Sequence, residues 1–69
     1  MQEFTWTEAR PKDGERIEAY SVPMDEWYPG TYWNDGDGLI EWDHDPSPCE
    51  IEEYGKDVIT KWRRIAKSQ

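Results

Sequence analysis

A chain of 69 residues with five tryptophans, sixteen carboxylates and a formal charge of −8 reads as one small domain, 1–69, with an aromatic centre and an acidic skin. That charge repels nucleic acid and anionic membrane and steers toward basic partners, and no apolar run approaches the roughly 20 residues that span a bilayer. One cysteine, Cys49, and one histidine, His44, exclude an intrachain disulfide and argue against a structural zinc site.

In chain order, Arg10 to Gly14 predicts a turn, with Pro11 setting φ and Gly14 supplying a permissive one. Arg16 to Val22 is β-rich and alternates, and predicts a strand. Pro23 to Glu26 is a second turn. Trp27 to Trp33 is the densest aromatic run, and Pro29 with Gly30 places it at an edge, a bulge or a late strand start. Asn34 to Gly38 is the clearest turn signal and predicts a hairpin tip, with Leu39 to Asp43 pairing back across it. Residues 44–50 read as an irregular loop, and a short helix fits 50–56. Val58 to Ile65 alternates as a final strand. The expected fold is mainly β: a small antiparallel meander of about four strands, closable into an open barrel. The alternative is α+β, with a C-terminal helix from about Tyr54 to Lys67. The expected core is Trp6, Trp33 and Trp62 with Ile17 and Val58, and alternation places Tyr28 and Tyr32 on the face opposite Trp33.

Charge is segregated. All sixteen acids lie in residues 1–57, whereas residues 58–69 carry Lys61, Arg63, Arg64 and Lys67 and no acid. The simplest reading of that basic end is a solvated segment offsetting an acidic body.

Trp6-Thr-Glu-Ala-Arg-Pro11-Lys-Asp-Gly14-Glu-Arg-Ile17, the aromatic segment Gly30 to Trp33, and Val58-Ile-Thr60-Lys-Trp62 together resemble the small phage and bacterial family called domain of unknown function 551. That family opens on a Trp, a Pro-x-x-Gly turn and a β-branched strand, and closes on a β-Thr-x-Trp pattern. The likeness spans nearly the whole chain and departs after Trp62, where Arg63 to Lys67 replaces a Pro-rich tail. It transfers no catalytic residue. It implies a phage or prophage setting, in which short acidic proteins disable host machinery.

Among constellations that carry chemistry, Asp35, Asp37, Gly38 and Ile40 mimic the middle of a calcium loop. The two anchoring positions would fall on Trp33 and His44, so a hairpin turn is the better reading. In Asp43-His44-Asp45 an extended backbone lets the two aspartates share a face that His44 leaves, which reads as a solvated loop. No carboxylate pair is marked for acid–base work, and a nucleophilic device would rest on His44 and Cys49 in one loop. No enzyme activity and no cofactor or metal is expected. An aromatic platform of Trp27, Tyr28, Tyr32 and Trp33 would normally need a positive groove to stack bases, and this region is negative.

The resulting expectation is a non-enzymatic acidic binding protein of phage type. It inhibits a host nucleic-acid-binding protein, as in anti-CRISPR or anti-restriction activity, by occupying that protein's basic surface. Carboxylates stand in for phosphates: Asp25, Glu26, Asp35, Asp37, Glu41, Asp43, Asp45, Glu50, Glu52 and Glu53, with Trp27 and Tyr28 as exposed aromatics. Nucleic acid and membrane are not expected as direct partners. A monomer or small homo-oligomer, complete from Met1, is expected in the cytoplasm, that of the host if a phage encodes it. The alternative is an oligomeric small-ligand protein whose aromatic pockets hold a nucleotide or sugar.

Overall fold

The computed structural model describes residues 2–65. Its strands are β1 (Phe4–Thr5), β2 (Arg16–Ser21), β3 (Glu26–Trp33), β4 (Leu39–Trp42), β5 (Cys49–Glu50) and β6 (Ile59–Arg64), with one helical turn, α1 (Ile51–Tyr54), between the last two. They form a single antiparallel sheet in the order β1-β6-β2-β3-β4-β5, curled into a half-barrel. The expected mainly β meander is therefore the fold, with six strands instead of four. The final segment is a strand and not the alternative helix over residues 59–64; residues 66 and 67 of that alternative lie outside the described residues.

The turns form where backbone chemistry demands them. Gly14 closes the turn before β2 at φ 83°. The 34–38 hairpin joins β3 to β4 and ends on Gly38 at φ 114°, where a Cβ would sit 2.7 Å from the Tyr32 hydroxyl and 2.8 Å from Arg10 Nη1. Only glycine satisfies both the backbone and the space there.

Pro29 lies inside β3, in the middle of the sheet, where the expectation was an edge, a bulge or a late strand start. The pairing of β3 with β4 begins only at Gly30, opposite Trp42. The Pro29 carbonyl accepts the Asp43 N–H (3.2 Å), and the proline has no N–H to return. The proline is tolerated because it stands where β4 ends. Gly30 beside it lets the sheet curl: a Cβ there would come within 2.9 Å of the Glu41 carbonyl oxygen.

The concave face holds the core: Trp6, Ile17, Ala19, Tyr32, Ile40, Cys49, Ile51, Ile59 and Trp62. Trp6 plugs the open side. Its ring stacks between Tyr32 (6.1 Å) and Trp62 (6.2 Å), and its indole N–H donates to the Ile59 carbonyl at 2.7 Å. Trp62 donates to the Ala9 carbonyl at 2.9 Å. Both buried indoles thus keep a hydrogen bond, as burial requires.

Two expectations about the core are corrected. Trp33 is 39% exposed, while Tyr32 is buried at 2%. Alternation along β3 does separate them, but the register puts Tyr32 opposite Ile40 in the core, leaving Trp33 outside against Gly14. Val58 is only half-buried at the margin of the core. In β6 the expected strict alternation also breaks. The pairing with β2 steps from Tyr20–Lys61 to Ser21–Ile59, so Thr60 is bulged and both Ile59 and Trp62 point inward.

Candidate functional site

The basic residues of the C-terminal strand do not form a free solvated end. Strand β6 lies between β1 and β2, and its cations lie against acids of neighbouring segments: Lys61 with Glu3 (2.9 Å), Arg63 with Glu18 (2.8 Å) and Arg64 with Glu15 (2.8 Å). Arg16 holds Asp43 through two contacts of 2.6 Å. Arg10 reaches Asp37 at 3.6 Å, donates to the Asp37 carbonyl and to the Tyr32 hydroxyl, and so fastens the 34–38 hairpin to the Trp6 segment. Lys67 lies outside the described residues.

This pairing sorts the ten acids read as phosphate mimics, and they do not share one face. Asp35, Asp37, Glu50 and Glu52 come together around a hollow of about 120 Å³ at the hairpin tip, because Leu39 of β4 pairs with Glu50 of β5. Glu53 follows on α1 without lining that hollow. Asp25 and Glu26 stand at the other end of β3, roughly 23 Å away by strand rise. Asp25 sits at φ 54° in the β2–β3 turn and accepts the Tyr20 hydroxyl, which holds the Tyr20 phenol above its ordinary pKa. Glu41 is on the convex face beside the Trp33 indole (3.3 Å). Asp43 is bound to Arg16, whose guanidinium holds its carboxyl below the usual range. Asp43-His44-Asp45 reads from sequence as a solvated loop in which an extended backbone would let the two aspartates share a face; the chain instead bends after β4, and His44 and Asp45 line one cleft together.

The aromatic expectation divides too. Trp27 is not an open contact surface. It lies on the convex face beside Tyr20 (5.3 Å), under Arg63 (4.0 Å) and Lys61 (5.6 Å). Tyr28 points to the concave side and meets Trp42 edge-on at 6.4 Å and 78°. These two rings form a corner of the cleft, about 380 Å³ in volume, with Ser21, Pro29, His44, Asp45 and Ile59 as its other walls. A second hollow of about 210 Å³ continues past Trp42 and Ile59 to Pro48, Cys49, Tyr54 and Val58. Burial, then the neighbouring Glu26 carboxylate, holds the Tyr28 phenol above its ordinary pKa.

Sequence reasoning missed Trp42, His44 and Ile59 as cleft residues. The one available signal was Trp42 itself, a large apolar side chain at the end of a short strand.

Cys49 is buried, and desolvation, then Glu50 and Glu53, push its thiol up to about 11. It is a core residue at neutral pH, not an activated nucleophile. Among the described residues, no three His, Cys, Asp or Glu side chains are grouped to hold a metal ion, and no helix is long and apolar enough to cross a membrane. No family model matches the chain, and neither a curated protein nor a solved structure matches it.

Proposed function

We propose that this chain is a non-enzymatic acidic binding protein of phage or prophage type that inhibits a host nucleic-acid-binding protein by occupying its basic site. One observation carries the reading. Five ion pairs engage Arg10, Arg16, Lys61, Arg63 and Arg64 with Asp37, Asp43, Glu3, Glu18 and Glu15. The chain's own cations are thus largely committed, and the surplus of negative charge falls on carboxylates outside those pairs. Asp35, Glu50 and Glu52 gather beside Asp37 at the hairpin tip. Carboxylates gathered at one end of the sheet present the kind of charge that a basic nucleic-acid groove binds. The phage setting, and anti-CRISPR or anti-restriction activity as its concrete form, rest on the resemblance in the Trp6–Ile17 and Val58–Trp62 segments. Action would then be in the host cytoplasm.

The test is DNA binding by guide-loaded CRISPR effectors and by restriction enzymes of the host, measured with and without the protein. Inhibition should compete with DNA and weaken steeply with salt, since exposed charges are screened beyond about 8 Å at physiological ionic strength. Asp35→Lys with Asp37→Lys should slow association more than it speeds dissociation. A partner whose binding survives molar salt and that double reversal unchanged would overturn the reading.

A second reading, a small-ligand protein, is favoured by the Tyr28–Trp42 cleft, whose volume falls within the roughly 300–1,000 Å³ of ligand sites. Native mass spectrometry showing a co-purifying small molecule would support it.

A further inference from the structure

Three of the five tryptophans are already faced by a cation of the chain itself. Arg10 lies 5.9 Å from the Trp6 ring, Arg63 lies 4.0 Å from Trp27, and Arg64 lies 5.0 Å from Trp62. Each of the three rings meets a guanidinium, which stacks on aromatic faces better than the compact, strongly hydrated lysine ammonium; Trp27 also has the Lys61 ammonium, farther off at 5.6 Å. Among the described residues, Trp33 and Trp42 have none. Trp33 rests on Gly14 with its indole toward Glu41. Trp42 instead faces the cleft, with Tyr28 set edge-on beside it.

The charge around that corner is of the complementary sign. Asp45 lines it, with Oδ1 accepting the Ser47 N–H at 2.9 Å and the second oxygen outside that bond. Glu26 stands close enough to act on the Tyr28 phenol. No lysine or arginine among the described residues lines it. The cleft thus repeats, without its cation, the arrangement the fold uses at Trp27, where an aromatic pair, a carboxylate and a guanidinium meet: Arg63 lies over Trp27 and contacts Glu18 at 2.8 Å.

We infer that the Tyr28–Trp42 cleft receives an arginine side chain of the partner protein, its guanidinium held against the two rings and by Asp45. This deepens the proposed function and rests on it: the acidic surface supplies long-range attraction to a basic partner, and the cleft supplies a short-range anchor selective for guanidinium. A buried arginine seated on aromatics is the kind of contact that dominates an interface.

The probe is the peptide acetyl-Gly-Gly-Arg-Gly-Gly-amide, with the same peptide carrying citrulline as its neutral isostere. Binding is followed by ¹H–¹⁵N NMR on the full chain. The five indole N–H signals are assigned with single Trp→Phe variants. The arginine peptide should shift the Trp42 indole and the Tyr28 and Asp45 amides saturably at millimolar concentration, and the citrulline peptide about three- to thirtyfold more weakly. Tyr28→Leu and Asp45→Asn should each weaken arginine binding, with the remaining amide spectrum unchanged as the check on folding. Asparagine keeps an oxygen for the Ser47 N–H, so Asp45→Asn isolates the charge. Equal shifts with citrulline would overturn the inference. So would shifts confined to residues 35–38 and 50–52 with Trp42 unmoved, a result that leaves the acidic reading standing. A Trp42 response together with no competition against DNA in the inhibition assay would do the reverse, supporting the cleft and removing the proposed inhibition.

Discussion

Gly38→Ala tests how the hairpin tip is fixed to the core. Two effects add at this position. The backbone φ of 114° is one that a side chain adopts only with strain, worth about 1–2 kcal/mol. The new methyl also meets the Tyr32 hydroxyl at 2.7 Å and Arg10 Nη1 at 2.8 Å. Tyr32 is buried and cannot retreat, so Arg10 must give way, weakening its 3.2 Å contact with the Tyr32 hydroxyl and its bond to the Asp37 carbonyl. Disturbing a charged hydrogen bond adds roughly 1.5–3 kcal/mol. The total is about 2.5–5 kcal/mol, which for a domain of this size lowers Tm by roughly 10–40 °C. Gly36→Ala is the control. It has φ 62° but nothing within 4 Å of its Cβ, so only the backbone contribution of about 1 kcal/mol applies, or roughly 4–8 °C. Thermal unfolding followed by circular dichroism, with urea midpoints for comparison, measures both. In an Arg10→Ala background the added effect of Gly38→Ala should shrink, because the two residues share the clash. Equal destabilisation by Gly38→Ala and Gly36→Ala, or full additivity with Arg10→Ala, would refute the packing argument.

Trp62→Ala should cost about 3–5 kcal/mol and prevent cooperative folding, whereas Trp33→Ala should cost about 1 kcal/mol, since Trp33 is largely outside the core; urea unfolding separates the two. Cys49 should resist alkylation at pH 8 in the native state and react at the rate of opening, so iodoacetamide labelling should track denaturant. The ionised thiol is disfavoured in the fold, so stability should fall as pH rises above about 8.5, the ordinary thiol value, toward 11. Asp43 has the opposite sign: its folded pKa is depressed, so its contribution is present above about 3.9 and is lost as pH falls through the folded value. Its carboxyl midpoint by NMR should move up in Arg16→Gln.

The turns, most strands and the charge segregation were legible because they are local properties. Gly14, the 34–38 hairpin and the bounds of β2 follow from φ preferences and alternation within a few residues. Pro29 misled for the opposite reason. Its rule concerns a ladder partner, and where β4 stops is a property of another segment. The candidate site was less legible. The sequence supplied the acids but not their grouping, and it named Trp27 as open when Arg63, thirty-six positions further along, covers it.

By itself, the sequence determined a mainly β domain with tight turns and a strong surplus of carboxylates, because turn chemistry and net charge need no knowledge of distant residues. Only the tertiary structure decided the rest. Pairing of β3 with β4 sent Tyr32 inward and Trp33 out, since one step of register exchanges the faces of a strand. The bulge at Thr60 turned both Ile59 and Trp62 into the core. Placement of β6 beside β2 neutralised Glu15 and Glu18 with Arg64 and Arg63. The curl of the sheet brought Tyr28, Trp42 and Asp45 to one cleft. Each of these is a long-range pairing, and the physical reason is common to all: the face a side chain occupies, and the charge it meets there, are set by the strand beside it and not by its neighbours in the chain.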